Sequence, residues 1–201
     1  MNYIYTKRLF DFFLSLVGLI VTSPIFLIIS LIIKLSDGGS VFYKHKRVGQ
    51  YGSELYLWKF RTMKTDNRSL DEILTPEQLK LFRENYKLDD DPRVTKFGKF
   101  LRKTSLDELP QLFNILIGNL SFVGPRPVLE EETKLYGKNR DLFLSVKPGL
   151  TGLWQVSGRN NISYYKRKKL ELFYCRKHSL MFDLKIFFAT FSAVLKCDGA
   201  S

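Results

Sequence analysis

The sequence predicts a mostly helical α/β domain with a small β-hairpin, joined to an N-terminal membrane helix that dips in and returns, with amphipathic helices at the membrane surface. Three observations carry this expectation. An uncharged run extends from Phe12 to Ile33; short β-prone stretches alternate with turn signals between Asp37 and Phe60; and lysines recur at helical spacing beside aromatic residues from Lys96 onward. With 201 residues and 45% hydrophobic content the chain has enough apolar material for one core, and a net charge of +12 implies an anionic partner: nucleic acid, an anionic leaflet or a phosphorylated small molecule. Two cysteines, Cys175 and Cys197, lack the number and spacing of a disulfide framework or zinc site, which suggests a reducing compartment.

The run "FFLSLVGLIVTSPIFLIISLII" is long enough for a membrane helix. It exceeds a signal-peptide core and no small-x-small cleavage site closes it. Its flanks are both basic, Lys7 and Arg8 before it and Lys34, Lys44, Lys46 and Arg47 after it, so the positive-inside rule asks both ends to face the cytoplasm. Ser23 and Pro24 fall at its middle, where proline removes a donor and Ser23 can bond a freed carbonyl. A re-entrant helix satisfies both clues; a spanning helix remains the alternative. The expected organisation is a membrane unit at 1–36 with a Ser-Pro break, then a cytoplasmic catalytic domain at 37–201.

Turn signals at Asp37 to Ser40 and Gly49 to Ser53 frame strands at Val41 to Tyr43 and Leu55 to Phe60, a hairpin. Asp66 to Asp91 reads as a polar surface excursion with a helix at Pro76 to Tyr86, capped by Thr75. In "VTKFGKFLRK", Lys96, Lys99 and Lys103 beside Phe97, Phe100 and Leu101 fit a basic helix on a membrane, or an ordinary solvated face. A short buried helix should end near Gly118, ahead of a rigid Gly124-Pro125-Arg126-Pro127 turn that presents one guanidinium. "KPGLTGLWQVSGRN" reads as a glycine-dense loop. Tyr164 to Lys196 reads as two helices parted near His178 and Ser179, the second apolar around most of its circumference and hence buried or resting on lipid.

No P-loop, dinucleotide fingerprint or H-E-x-x-H motif is present, and His45 and His178 have no evident partners. Attention falls on Asp107 and Glu108 in "TSLDELPQLFN". They admit two readings. Ser105-x-x-Glu108 matches a capping box, and acidic residues and Pro110 suit a first helical turn. Adjacent carboxylates can also divide chemical labour, one attacking phosphorus and the other holding a hard divalent ion, with Arg102, Arg126 and Arg159 as phosphate ligands.

The segments "KRLFD", the Ser23-Pro24 pair, "KFRTM", "LRKTSLDELPQLFN", "GNLSFVGPRP" and "KPGLTGLWQVSGRN" together resemble the bacterial sugar transferases, monotopic polyprenyl-phosphate phosphoglycosyl transferases, over nearly the whole chain. The chain looks like their minimal catalytic form. The resemblance implies transfer of a sugar 1-phosphate from a UDP-sugar to undecaprenyl phosphate with Mg²⁺, on the cytoplasmic face of the bacterial inner membrane, among its lipids, at the start of surface glycan synthesis. It implies Asp107 as nucleophile and Glu108 as Mg²⁺ ligand. Phosphate roles fall to Lys59, Arg61 and Arg102, and donor contacts to Arg126, held by Pro125 and Pro127, and Arg159. Gln111 would orient a phosphate or water, and Asp183 matches a further acidic position. The wording "GLWQVSGRN" leans towards a glucose or galactose donor. A homodimer is compatible with the resemblance. The rivals are a non-catalytic membrane adaptor, a glycosyltransferase that releases UDP rather than UMP, and a nucleic-acid binder, which the apolar run argues against.

Overall fold

The computed structural model describes residues 3–65, 69–85, 88, 91–158 and 162–195. Helix α1, Tyr3–Asp37, is the one helix among them long and apolar enough to cross a membrane. It continues through Ser23 and Pro24, so the expected break is absent from the helical path. The reason is local compensation. Pro24 offers no N–H to the Ile20 carbonyl one turn back, and Ser23 Oγ donates to that carbonyl at 2.8 Å.

One face of α1 packs on the rest of the protein along the length of the helix. Lys7, Asp11, Ser15, Ile29 and Ile33 are buried, and Gly18 brings the backbone close to Leu112. Near its start Arg8 donates to the carbonyls of Ile115 and Leu116 at 2.8 and 2.7 Å, and Asp11 accepts from the Phe122 N–H at 3.1 Å. Near its end Asp37 pairs with Arg61 and accepts from the Thr65 N–H at 3.1 Å. The opposite face exposes Leu9, Phe13, Val17, Ile20, Leu27, Leu31 and Leu35.

Strands β1, Phe42–Val48, and β2, Glu54–Phe60, form the expected antiparallel hairpin, with β1 running farther than its β-prone core suggested. Alternation in β2 buries Leu55 and Leu57. Helices α2, Leu70–Ile73, and α3, Pro76–Asn85, form the polar excursion. Thr75 caps α3 reciprocally with Gln78, as the sequence signals. Helix α4, Lys96–Lys103, is capped by Thr95, whose hydroxyl accepts from the Gly98 N–H at 2.8 Å. Helix α5, Gln111–Ile117, ends at Gly118 with φ +94°, the left-handed stop that glycine adopts without strain.

Beyond it, β3, Ser121–Val123, pairs in parallel with β4, Gly149–Thr151, through the turns α6, Glu130–Thr133, and α7, Arg140–Leu144. The glycine-dense stretch is therefore not all loop: it holds β4 and α8, Leu153–Val156. Three-residue strands are too short for periodicity to reveal them. Helices α9, Tyr164–Lys177, and α10, Leu180–Leu195, part at His178 and Ser179 as expected. Two apolar clusters result. One joins Leu55, Leu57, Ile115, Leu120, Val123, Val128, Tyr174 and Ile186; the other joins Ile29 and Ile33 of α1 to Phe60 and Leu101.

Candidate active site

The acidic pair occupies a separate 3-10 turn, Leu106–Glu108, between α4 and α5. Ser105 has φ +57° and its side chain makes no cap hydrogen bond, so the capping-box reading fails. A residue in the left-handed region turns the chain sharply, whereas an N-cap residue is extended. Pro110 is the N-cap of α5 rather than its first residue, which places both carboxylates ahead of that helix. Leu106 and Leu109 pack against the cluster around Ile29, Phe60 and Leu101, flanking the acidic pair with anchored side chains.

Asp107 is 7% exposed, and the Glu108 side chain is 37% exposed. Lys59, on β2, places Nζ 2.6 Å from Glu108 Oε1 and 3.6 Å from Asp107 Oδ2. Asn114 fixes this approach. Fully buried on α5, it accepts from the Trp58 N–H at 3.0 Å and donates to the Tyr56 carbonyl at 2.8 Å, occupying the β2 edge that β1 leaves unpaired. The helix that follows the acidic turn and the strand carrying the lysine are thus tied one residue from Lys59. Burial pushes the Asp107 carboxyl up; the Lys59 and Arg102 charges pull it down and Glu108 pushes it up, with a net upward shift. Arg102 is held by Thr62, to whose hydroxyl its Nε donates at 3.0 Å.

A second basic group, Arg126, lies near enough for the Glu108 charge to act on it. Gly124-Pro125-Arg126-Pro127 follows β3, with both prolines buried. The Gly124 N–H bonds the Thr151 carbonyl and the Gly149 N–H bonds the Pro125 carbonyl, each at 2.9 Å. Backbones meet here so closely that a Cβ on Gly124 would lie 2.4 Å from the Lys147 carbonyl oxygen, and one on Gly152 2.2 Å from that of Gly124. The two glycine-rich motifs therefore form one backbone clamp that aims Arg126. Its guanidinium lies 5.5 Å from the Trp154 ring centroid. On β1, His45 and Arg47 alternate onto the side of the hairpin that carries Lys59. Burial, then Arg47, Lys59 and Arg126, push the His45 imidazole down to about 4, leaving it neutral at pH 7.

Of the predicted site residues, Asp107, Glu108, Lys59 and Arg102 come together, and the Glu108 charge reaches Arg126. Gln111, buried at 3%, opens α5 directly behind the pair. Asp183 does not join them. It is 3% exposed and accepts from Tyr174 Oη at 2.6 Å, Lys7 Nζ at 2.6 Å and Tyr3 Oη at 2.8 Å, anchoring α1 to α10. Arg61 is likewise engaged elsewhere, by Asp37 and the Thr65 hydroxyl at the end of α1. Arg159 lies outside the described residues. Sequence reasoning missed Asn114, Arg47 and Arg167. The alternation of "KHKRV" and the i,i+4 spacing of Arg167 to Glu171 were the available signals for the last two; nothing local marks Asn114.

Among the described residues no group of three or more His, Cys, Asp and Glu side chains surrounds a metal position. Two adjacent carboxylates with one partly exposed do match the sparse protein share of a magnesium site, which draws its remaining ligands from water and substrate phosphates.

The model of the family described as bacterial sugar transferase matches residues 2–197. The chain is 47% identical over 198 residues to the exopolysaccharide production protein ExoY of Sinorhizobium fredii, covering 97% of this chain and 88% of that protein. It is 44% identical over 200 residues to the undecaprenyl-phosphate galactose phosphotransferase of Salmonella typhimurium, covering 98% of this chain and 42% of that one. The UDP-glucose:undecaprenyl-phosphate glucose-1-phosphate transferase of Escherichia coli is 38% identical over 192 residues, with 92% and 39% coverage. The chain thus spans most of ExoY and about two fifths of the two longer relatives. The acidic turn, its lysine and the glycine clamp built from "GPRP" and "KPGLTG" lie inside the matched region, and the chain belongs to the bacterial sugar transferase family of enzymes.

Proposed function

We propose that the protein transfers a hexose 1-phosphate from a UDP-sugar to undecaprenyl phosphate, through a covalent intermediate on Asp107. The carrying observation is a buried carboxylate set against a lysine and a second carboxylate. Asp107 Oδ attacks the sugar-bearing phosphorus, an O–P bond forms as the bond to the bridging oxygen breaks, and UMP leaves with the electron pair. An oxygen of the lipid phosphate then attacks the same phosphorus, releasing Asp107 and giving a polyprenyl diphosphosugar.

The Lys59 charge lowers the Asp107 pKa against the effect of burial and faces the charge that develops on phosphoryl oxygens. Arg102 and Arg126 supply further positive charge around the donor phosphates. Glu108 would hold Mg²⁺, which when bound neutralises phosphate oxygens. The relatives named for galactose and glucose 1-phosphate favour a neutral hexose donor, and those named for exopolysaccharide production favour that pathway.

The membrane placement we infer is re-entrant. Lys7 and Arg8 at one end of α1 and Asp37 at the other all bind the same domain, while the intervening outer face is apolar. The catalytic domain then rests on the cytoplasmic face of the inner membrane, and α4, with Phe100 exposed among lysines, joins the interface.

The test is UMP release by the detergent-purified chain with undecaprenyl phosphate, Mg²⁺ and a panel of UDP-sugars. One hexose donor should yield UMP from the parent and none from Asp107→Asn. Release of UDP instead would identify a glycosyltransferase, and no nucleotide release with Asp107→Asn still functional in cells would identify an adaptor.

A further inference from the structure

Among the described residues four buried side-chain atoms lack a hydrogen-bond partner, and three of them lie on α8 and α9: Trp154 Nε1, Gln155 Oε1 and Arg167 Nη2. Leaving such atoms unpaired is costly, and their clustering marks a place completed by something else. Trp154 is 5% exposed, and two guanidiniums share its ring, Arg167 at 4.7 Å and Arg126 at 5.5 Å from the centroid.

The local carboxylates offset this charge only in part, through the ion pair of Arg167 with Glu171. Glu171 Oε1 accepts from Arg167 Nε at 3.4 Å and from the Arg126 backbone N–H at 3.3 Å, and its other oxygen is taken by Tyr136 Oη. Glu132 Oε2 caps the Leu129 N–H at 2.9 Å. Among the described residues the Arg126 guanidinium has no carboxylate within ion-pair distance. Its charged neighbours are mixed: Arg167 disfavours its protonated state, and Glu132, Glu108 and Glu171 favour it. The hairpin brings one more cation to the same place: the Val48 N–H bonds the Val128 carbonyl at 2.9 Å, setting Arg47 beside the loop that carries Arg126.

Two of the three atoms, the indole N–H and the guanidinium N–H, are donors only and lack an acceptor, while Gln155 Oε1 lacks a donor. With the guanidiniums of Arg126, Arg167 and Arg47 gathered around Glu171 and Glu132, an anion is the acceptor that suits the two donors. We propose that Trp154 and Arg167, with Arg126, form an anion subsite in which Trp154 Nε1–H and Arg167 Nη2–H donate to phosphoryl oxygens of a nucleoside diphosphate. The subsite holds the nucleotide half of the donor while the sugar-bearing phosphorus faces Asp107. This rests on reading the donor as a nucleoside diphosphate sugar.

The test uses calorimetric binding of UDP, and separately of inorganic pyrophosphate, to the full detergent-solubilised chain in magnesium buffer, with thermal unfolding of each variant. Trp154→Phe removes the donor and keeps a ring; Arg167→Lys keeps the charge and removes the fork. A hydrogen bond to a charged partner is worth enough that Trp154→Phe should weaken UDP binding roughly tenfold or more. The same change removes an unpaired buried donor, so the free variant should melt no lower than the parent. Affinity and stability moving in opposite directions is a signature that general loss of packing does not produce. Arg167→Lys should weaken binding in the same direction. Pyrophosphate binding as tightly as UDP, with the same losses in the variants, supports the anion subsite and removes the nucleotide from the donor reading. UDP binding unchanged in both variants overturns the subsite and leaves the donor reading intact. Parent protein that binds neither probe overturns both.

Discussion

Two buried aspartates in this molecule each face a lysine, yet they are built for opposite ends. Asp183 has both oxygens engaged, by Tyr174 on one and by Lys7 and Tyr3 on the other, all within 2.8 Å. Asp107 has its lysine at 3.6 Å, drawn away by Glu108 at 2.6 Å, and burial raises its pKa. A carboxylate whose two oxygens are engaged by three close donors is held in place and serves as a rivet. One that is desolvated but under-coordinated is a nucleophile in waiting, and its burial costs stability that a purely structural residue would not be asked to lose.

The largest effect expected from breaking this contrast is at Asp107. Asp107→Asn should lower UMP release by roughly a thousandfold or more, as removal of a nucleophile does. Its thermal midpoint should hold or rise, because the raised pKa means that the ionised form is disfavoured by folding at neutral pH. Asp183→Ala should do the reverse: it strands Lys7 and two phenols, at a cost of about 3–5 kcal/mol by denaturant unfolding, with the folded fraction still turning over. Lys59→Gln sharpens the comparison from the other side. Lys59 lowers the Asp107 pKa, so its removal should raise it further, and the acid limb of the kcat/KM profile should move to higher pH, with about a ten- to hundredfold loss of rate at neutral pH. The smallest expected effect is at Asn114. Asn114→Ala frees the Trp58 N–H and the Tyr56 carbonyl, which should destabilise by about 1–3 kcal/mol and lower kcat more than it raises KM, since the lysine loses its position rather than the donor its contacts.

What the sequence made legible follows this same division. Local chemistry was readable: the Thr75 cap, the Gly118 stop, the hairpin, the helix parting at His178, and the Ser23 hydroxyl returning to the carbonyl that Pro24 orphans. The grouping of Asp107, Glu108, Lys59 and Arg102 in the structure was also readable, because their motifs are contiguous. Long-range pairing was not readable. Asp183 and Arg61 look like Asp107 and Lys59 in one dimension, and only the return of α1 against α10 and β2 shows that their charge is already spent. The strands β3 and β4 escaped because each has three residues and their pairing depends on backbone approach at Gly124, Gly149 and Gly152, which leaves no hydrophobic period. Ser105-x-x-Glu108 misled for a related reason: the motif fits a capping box, but the left-handed turn at Ser105 directs the chain into a 3-10 turn instead.

The central claim is that Asp107 becomes covalently attached to the sugar phosphate. The direct measurement is to incubate the purified chain with a donor labelled in its sugar-bearing phosphate, without acceptor, quench it rapidly and locate the label by peptide mass spectrometry. The account predicts one phosphosugar adduct on Asp107, absent from Asp107→Asn and discharged when undecaprenyl phosphate is added. Full UMP release only in the presence of acceptor, with no labelled protein at any time, would contradict it.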